Sequence, residues 1–296
     1  MLAFDLLANG LIYGCFYALM AVGLAMIFGV LKIVNFAHGE FFMIGAYTYV
    51  LVALKVGVSP WVALPCAALS GAVLGWLVER LLMRPLYQGY ASWGFMKDEY
   101  AVVVTFGLSL LLVNLVDKIV GPYSFRGPAL IDVSRFAFGP IMLTGQKAIA
   151  AVVSILLMVG LALFIKRSVW GKQIQAVAQN RLGASLAGID ATRTTSLIFV
   201  ISGVLAALSG ALLAPLVNPS PDIGAFPAVK SYVIVVLGGM GSIWGAMLAA
   251  LILGVSEAFF SVYLSYDYRD AFGLIILVLV LLLRPQGLFG EKGRQV

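Results

Sequence analysis

Apolar residues run in long blocks near 8–31, 40–57, 60–83, 100–118, 148–165, 194–217, 231–256 and 269–284. Each block is long enough, or nearly so, to cross about 30 Å of hydrocarbon at about 1.5 Å per residue, which predicts about eight transmembrane segments. A barrel would need alternation at every second position, and a stretch such as 148–165, with no charged residue, has none. The expected fold class is an all-α polytopic membrane protein, with 1–296 forming a single transmembrane domain. The last block is short; Tyr263, Tyr266 and Tyr268 precede it as interfacial anchors, and Arg269 can snorkel.

The polar connections orient these segments. Lys166, Arg167, Lys172, Arg181 and Arg193 crowd one connection against a single acid, Asp190. Basic residues stay on the cytoplasmic side, so this connection is expected there. Counting back places Arg80 and Arg84 inside and Met1 outside. Counting forward through simple crossings would strand Arg284, Lys292 and Arg294 outside, against the same rule. The suspect is 231–256, interrupted by Gly238-Gly239-Met240-Gly241-Ser242, which is expected to hold broken helices that are re-entrant or cross twice. Proline-rich stretches at 121–146 and 217–230 fall on the outer side as a candidate docking surface. Phe28–Tyr47 and Val233–Leu253 are both glycine-interrupted, a pointer to paired broken helices around a central site.

Composition narrows the class. The chain is 62% hydrophobic and 11% charged, against about 25% charged in a soluble domain. A net charge of +6 would suggest nucleic acid in a soluble protein; here the basic residues are loop anchors beside a lipid membrane, and no nucleic-acid partner is expected. Cys15 and Cys66 lie in apolar blocks and read as buried thiols, not as a bridge or metal ligands. Met1–Gly10 lacks a basic region and the apolar run continues past Phe28, so no cleaved signal is expected.

Three places carry candidate chemistry. Leu31–Glu40 is a polar interruption holding the chain's one histidine. Asn35, His38 and Glu40 either line a translocation path, because polar groups at membrane depth are costly unless used, or form a short loop in which Asn35 caps the next helix and Glu40 meets its positive end. In 170–190, Ile174, Val177, Ala178, Leu182 and Leu186 recur at helical spacing and predict a short amphipathic helix. Its many small residues favour presentation to a soluble partner over lying on the bilayer. The third place is the glycine break, with Gly238, Gly239 and Gly241 as path candidates and Glu257 beside it as a proton or solute partner. With one histidine and no HExxH, GxSxG or GxxxxGK[ST] pattern, no catalytic constellation can be assembled, and an enzyme is not expected.

At this level the chain resembles the branched-chain amino-acid ABC transporter permeases, in their LivH-type form. The resemblance rests on Gly10–Gly14, Tyr17–Leu19, Gly23-Leu24, Phe28–Val30 and, above all, Asn35-Phe36-Ala37-His38-Gly39-Glu40. It continues through Gln179-Asn180, Ala187–Asp190, Ala214-Pro215, Val236–Ser242 with Gly245, and Leu283–Gly290. It implies a multi-pass subunit of the bacterial inner membrane with a cytoplasmic C-terminus, paired with a second, LivM-like permease. Two cytoplasmic ATPase subunits would carry ATP and Mg, with no cofactor on this chain, and an extracytoplasmic binding protein would deliver the solute. It further implies that 170–190 holds a coupling helix docking into an ATPase groove, with Lys172, Gln179, Asn180, Arg181, Gly183, Leu186 and Gly188 as coupling candidates. The expected solutes are branched-chain amino acids. Similar permeases carry urea, short amides, and other carboxylated or aromatic solutes. A self-sufficient channel or secondary transporter, using the glycine break as a filter and His38 or Glu257 as a proton group, is the alternative from another class.

Overall fold

The computed structural model describes residues 2–88, 97–131, 136–138, 141–265 and 268–290. The chain opens with α1 (Leu2–Leu31) and α2 (His38–Leu51), which ends in a π-helical turn over Val52–Val56. A single rod then runs through α3 (Pro60–Val78), a second π-helical turn (Glu79–Met83) and α4 (Arg84–Gln88). After α5 (Lys97–Val120) comes an antiparallel hairpin of β1 (Phe136–Phe138) and β2 (Ile141–Leu143). The remainder is helical: α6 (Gly145–Arg167), α7 (Val169–Gln179), α8 (Arg181–Leu186), α9 (Ala191–Leu213), α10 (Ala225–Gly238), α11 (Ile243–Tyr263) and α12 (Arg269–Leu283). Among the described residues seven rods are long and apolar enough to cross a membrane, and Ala225–Gly238 and Ala271–Leu283 are shorter apolar helices. The fold is all-α and polytopic. The block expected at 231–256 is two helices joined by a tight turn, and the first begins earlier, at Ala225.

Small residues set the packing. In hydrocarbon, helices gain little from hiding apolar surface, so they associate where small side chains let backbones approach. Helix α1 is central: a Cβ on Gly10 would lie 2.7 Å from Val255 Cα and one on Gly14 would lie 2.9 Å from Leu251 Cα, so α11 runs antiparallel along it. On another face Ser209 Oγ donates to the Phe16 carbonyl at 3.0 Å, while Gly23 abuts Ser202, making α9 antiparallel to α1 as well. Gly71 and Gly75 press α3 onto α9 at Gly203 and Phe199, and Gly45 meets Ala207 where α2 crosses α9.

The register of these contacts gives the molecule two ends. The basal end holds the C-terminal ends of α1, α6, α10 and α12, together with α7 and α8; the distal end holds 121–131. Lys32, Arg84, Lys166, Arg167, Lys172, Arg181, Arg193 and Arg284 all gather at the basal end. The parity conflict disappears because α10 and α11 each run between the centre or basal end and the opposite side, so 284–290 returns to the basal end. There Leu288 N–H donates to the Leu237 carbonyl at 2.8 Å.

Two helices start inside the body. Lys32, with φ 61, closes α1 in a left-handed conformation, and 32–37 doubles back so that α2 begins beside Met20 of α1. From the distal end, 214–224 descends through turns to the start of α10. The first turns of α2 and α10 meet at Gly39 and Gly224, each glycine facing the other's carbonyl. From there α2 runs to the distal end and α10 to the basal end.

Gly45→Ala is expected to lower the thermal stability of the detergent-solubilised protein, because the added methyl collides with the Ala207 backbone; such overpacking costs about 1–3 kcal/mol. Gly160→Ala, where nothing lies within 4 Å, is expected to be neutral or stabilising by up to about 1 kcal/mol. Equal melting temperatures for the two variants would contradict backbone-to-backbone packing at the α2–α9 crossing.

Candidate translocation and coupling sites

The α2–α10 junction carries the polar residues of 31–40. Asn35 and His38 are fully buried and Glu40 nearly so. Asn35 Oδ1 accepts from Ala37 N–H at 3.1 Å, and its carbonyl accepts from Tyr232 Oη at 2.9 Å. Asn35 therefore folds the return segment rather than capping α2, whose first turn has no side-chain cap. His38 Nε2 donates to the Met20 carbonyl at 3.0 Å, since a carbonyl can only accept. Glu40 Oε1 accepts from Ser109 Oγ at 2.8 Å, and Phe36 N–H donates to Thr105 Oγ1 at 3.1 Å, so both tie the junction to α5. Asn35 Nδ2, His38 Nδ1 and Glu40 Oε2 have no hydrogen-bond partner among the described residues. A buried polar atom left so is expected to meet water or solute at some stage.

Beside this junction a cavity of about 320 Å³ opens between α1, the return segment and α10, lined by Leu24, Phe28, Val34, Phe36, Tyr232 and Met240, among others. Its wall is apolar. A second cavity, of about 500 Å³, lies at the distal end against Leu54, Arg126, Pro128, Gln146 and Pro215. The polar atoms of 35–40 and the apolar cavity thus meet where the return segment enters α2.

The glycine candidates lie elsewhere. Gly238 to Ser242 form the basal turn between α10 and α11, not a break at mid-depth: Gly241 packs on Gly29 near the end of α1, and Gly239 on Gly290. Positive φ values of 98° and 89° at Gly239 and Gly241 explain why glycine occupies these positions. Glu257 is in a third place, buried between α10 and α12, with its carboxylate paired to Lys230. The Lys230 ammonium lies 5.4 Å from the Tyr17 ring and 5.0 Å from the Phe226 ring. Lys230 escaped notice in the sequence because it was placed in the outer loop 217–230. The signal was present as a lone lysine and a lone glutamate bracketing an uncharged stretch.

The basic connection differs from expectation too. Residues 170–190 do not form one amphipathic helix. Asn180 is extended and its Oδ1 accepts from Gly183 N–H at 2.9 Å, so it ends α7 and caps α8. Asparagine prefers this role to a helix interior because its side chain competes for backbone groups. Ile174 and Val177 are consequently buried under the body, whereas Leu182 and Leu186 are 72% and 82% exposed. Lys172, Gln179, Asn180, Gly183 and Gly188 are exposed on the same connection, and Arg181 is half-buried. Glu79 and Tyr87, which also lie at this end, carried no motif in the sequence.

Residues 6–281 match the family described as branched-chain amino acid transport system / permease component. The LivH permease protein of the high-affinity branched-chain amino acid transport system of Salmonella typhimurium is 36% identical over 96% of this chain and 94% of its own length. The LivM permease protein of that organism's system is 29% identical over 92% of this chain and 67% of its own length. Among solved structures, PsaBC from Streptococcus pneumoniae in complex with Fab superposes with a TM-score of 0.52 over 96% of this chain and 93% of the matched chain, at 11% identity. That likeness concerns the fold alone.

The Lys230–Glu257 pair generates a stability test. Lys230→Ala or Glu257→Ala leaves one charge buried without its partner, and each is expected to cost about 3–5 kcal/mol. Replacing both at once with Met and Leu is expected to recover most of that loss in a thermal melt. A double variant as unstable as the singles would show that the two charges do not act as a pair.

Proposed function

The chain belongs to the family of branched-chain amino acid transport system permease components, and on that premise we propose that it is one membrane subunit of an ATP-driven, binding-protein-dependent importer. The observation that carries the mechanism is the connection α7–α8: two leucines stand free of the body on the most basic end of the molecule, beside exposed amide and small side chains. A helix lying on lipid would turn such leucines toward the membrane with its other apolar residues, but Ile174 and Val177 face the body instead. An ATPase groove is a fitting cover for Leu182 and Leu186. Lys172, Gln179, Asn180, Arg181, Gly183 and Gly188 form the remainder of that contact.

The basal end faces the cytoplasm in this reading, because it collects the basic residues. The C-terminal segment is cytoplasmic with it. Two ATPase subunits dock there and hold the ATP and magnesium. A second, LivM-like permease completes the membrane part, in keeping with the paired relatives. The binding protein docks at the distal end, over 121–146 and 214–224. ATPase closure then favours one arrangement of the permease pair through contacts that differ between the two states.

The solutes are small aliphatic amino acids, branched-chain members first. The apolar cavity beside the α2–α10 junction suits an aliphatic side chain, and the free polar atoms of Asn35, His38 and Glu40 suit the charged end of an amino acid as it passes. Gly238, Gly239, Gly241 and Glu257 act on the path indirectly by setting the position of α10.

Gentle solubilisation of the tagged chain from native membranes is expected to recover a second permease and two ATPases. Vesicles holding that complex and its binding protein are expected to accumulate radiolabelled leucine only with ATP, with isoleucine and valine competing and urea not. Leucine movement by the chain alone would sink the importer reading in favour of a self-sufficient transporter. Gly183→Trp, on the exposed face of α8, is expected to leave the protein folded and reduce uptake by about tenfold, equivalent to about 1.4 kcal/mol of coupling; undiminished uptake would remove α8 from the contact.

A further inference from the structure

We infer that Tyr87 and Glu79 form the joint that positions α8 against the membrane body, and thereby set how much solute moves for each ATP hydrolysed. The functional half of this inference rests on the reading of α7–α8 as the ATPase contact.

Helix α8 has little to hold it. Of its six residues only Ala184 is buried, and Leu182 and Leu186 point away from the body. Along the chain it is fixed by the Asn180 cap at one end and by Ile189 N–H donating to the Ala184 carbonyl at 3.0 Å at the other. Its side-chain tie to the α3–α4 rod is Arg181, whose guanidinium stands 4.4 Å from the centre of the Tyr87 ring. Partial burial pushes the Arg181 guanidinium below its ordinary value, opposed by Tyr87 and Glu79. It stays charged all the same, as arginine does in proteins.

Tyr87 in turn is hydrogen-bonded to Glu79. The Glu79 side chain is completely buried, on the π-helical turn between α3 and α4. Its carboxylate accepts from Arg84 Nε at 3.2 Å and Nη2 at 2.9 Å, and from Ser196 Oγ at 2.7 Å. Arg84 Nη2 also donates to Ser196 Oγ at 2.8 Å. Ser196 belongs to the first turns of α9, whose start is capped by Asp190 accepting from Thr192 and Arg193 N–H, each at 3.0 Å. One carboxylate therefore gathers the rod α3–α4 and the beginning of α9, and Tyr87 extends that gathering to α8.

The two halves of the joint differ in strength. The Glu79–Arg84 pair is bidentate and charge-assisted, with its carboxylate buried, the arrangement that holds geometry best. The Arg181–Tyr87 contact is a cation over a ring and is the weaker, releasable half. Because the one side chain that α8 buries is the small Ala184, Tyr87 is the side-chain route by which a displacement imposed on it reaches the membrane helices. The π-helical turn at Glu79–Met83 is where the rod departs from regular α-helical geometry, a feature frequent at functional sites.

The test uses the intact complex in vesicles with binding protein and radiolabelled leucine, measuring uptake and ATP hydrolysis in parallel. Tyr87→Leu is expected to leave assembly and basal hydrolysis intact and to lower leucine moved per ATP by about tenfold, the size expected for losing a cation–π contact. Tyr87→Phe, which keeps the ring under Arg181 but loses the hydroxyl bonded to Glu79, is expected to recover only part of that ratio. An unchanged ratio in Tyr87→Leu, or a Phe variant equal either to the Leu variant or to wild type, would overturn the inference. Amide hydrogen exchange over 180–189 of the purified chain reads the joint without any ATPase: it is expected to quicken in Tyr87→Leu and, to a smaller extent, in Tyr87→Phe. Unaltered exchange in Tyr87→Leu also overturns it. If the wild-type chain recruits no ATPase while its Leu variant exchanges faster, the importer reading fails and the joint stands as a positioning device.

Discussion

A backbone amide inside hydrocarbon has no water to bond, and the fold is organised around the two stretches that break this rule's easiest solution, the continuous helix. Residues 32–37 enter from the basal end and 214–224 from the distal end. Both solve the problem locally. In the first, Phe36 N–H is taken by Thr105, Ala37 N–H by the Asn35 side chain, and the Asn35 carbonyl by Tyr232 and His38 N–H. In the second, Leu216, Ile223 and Ala225 N–H close turns on Leu213, Ser220 and Asp222. Each partner sits on a different helix or turn, so satisfying these few groups fixes where α2 and α10 begin and how α5 lies against them. Only glycine at 39 and 224 lets those beginnings touch.

The same constraint explains what the sequence could and could not disclose. The spans were legible because continuous apolar runs in lipid have one structural solution. The doubling within 231–256 was legible from charge parity, before any geometry, because Arg284 had to end on the side of Arg181. The depth of that glycine turn was not legible: Gly238–Ser242 and the segment 32–37 both read as interruptions, yet one is a surface turn and the other a buried return. Telling them apart needs the partners, Gly29 and Gly290 in one case, Thr105 and Tyr232 in the other. Helical periodicity likewise carried Leu182 and Leu186 onto the face of Ile174, because a period has no knowledge of the cap that Asn180 supplies. Lys230 was hidden for a simpler reason: the prolines that precede it, Pro215, Pro219, Pro221 and Pro227, gave the stretch the appearance of a loop.

Two ion pairs among the described residues, each with a buried carboxylate, occur where helices are irregular. Glu79 with Arg84 brackets a π-helical turn; Lys230 with Glu257 pins a helix that starts inside the body. A buried pair is poor value as stabilisation, since its mutual attraction must first offset the loss of water around both ions. Its merit is directional. Apolar side chains tolerate sliding past one another, whereas a carboxylate with two or three donors accepts one arrangement, so a helix that cannot rely on a full-length ridge of contacts gains a fixed register from such a pair.

Motion must then be sought where neither device operates. Along α1, α9, α3 and α11 backbone touches backbone, and such a core passes a displacement on more readily than it absorbs one. At α8 there is neither a glycine seam nor a buried pair, only one buried alanine, an asparagine cap and a guanidinium over a ring. An element loosely held, at the end of a body tightly held, is joined to it by the chain on either side and by one side-chain bridge. In this chain that connection passes through a tyrosine hydrogen-bonded to a buried glutamate. In the proposed importer that basal corner is where a movement of α8 enters the membrane body, far along the chain from the proposed path residues Asn35 and Glu40.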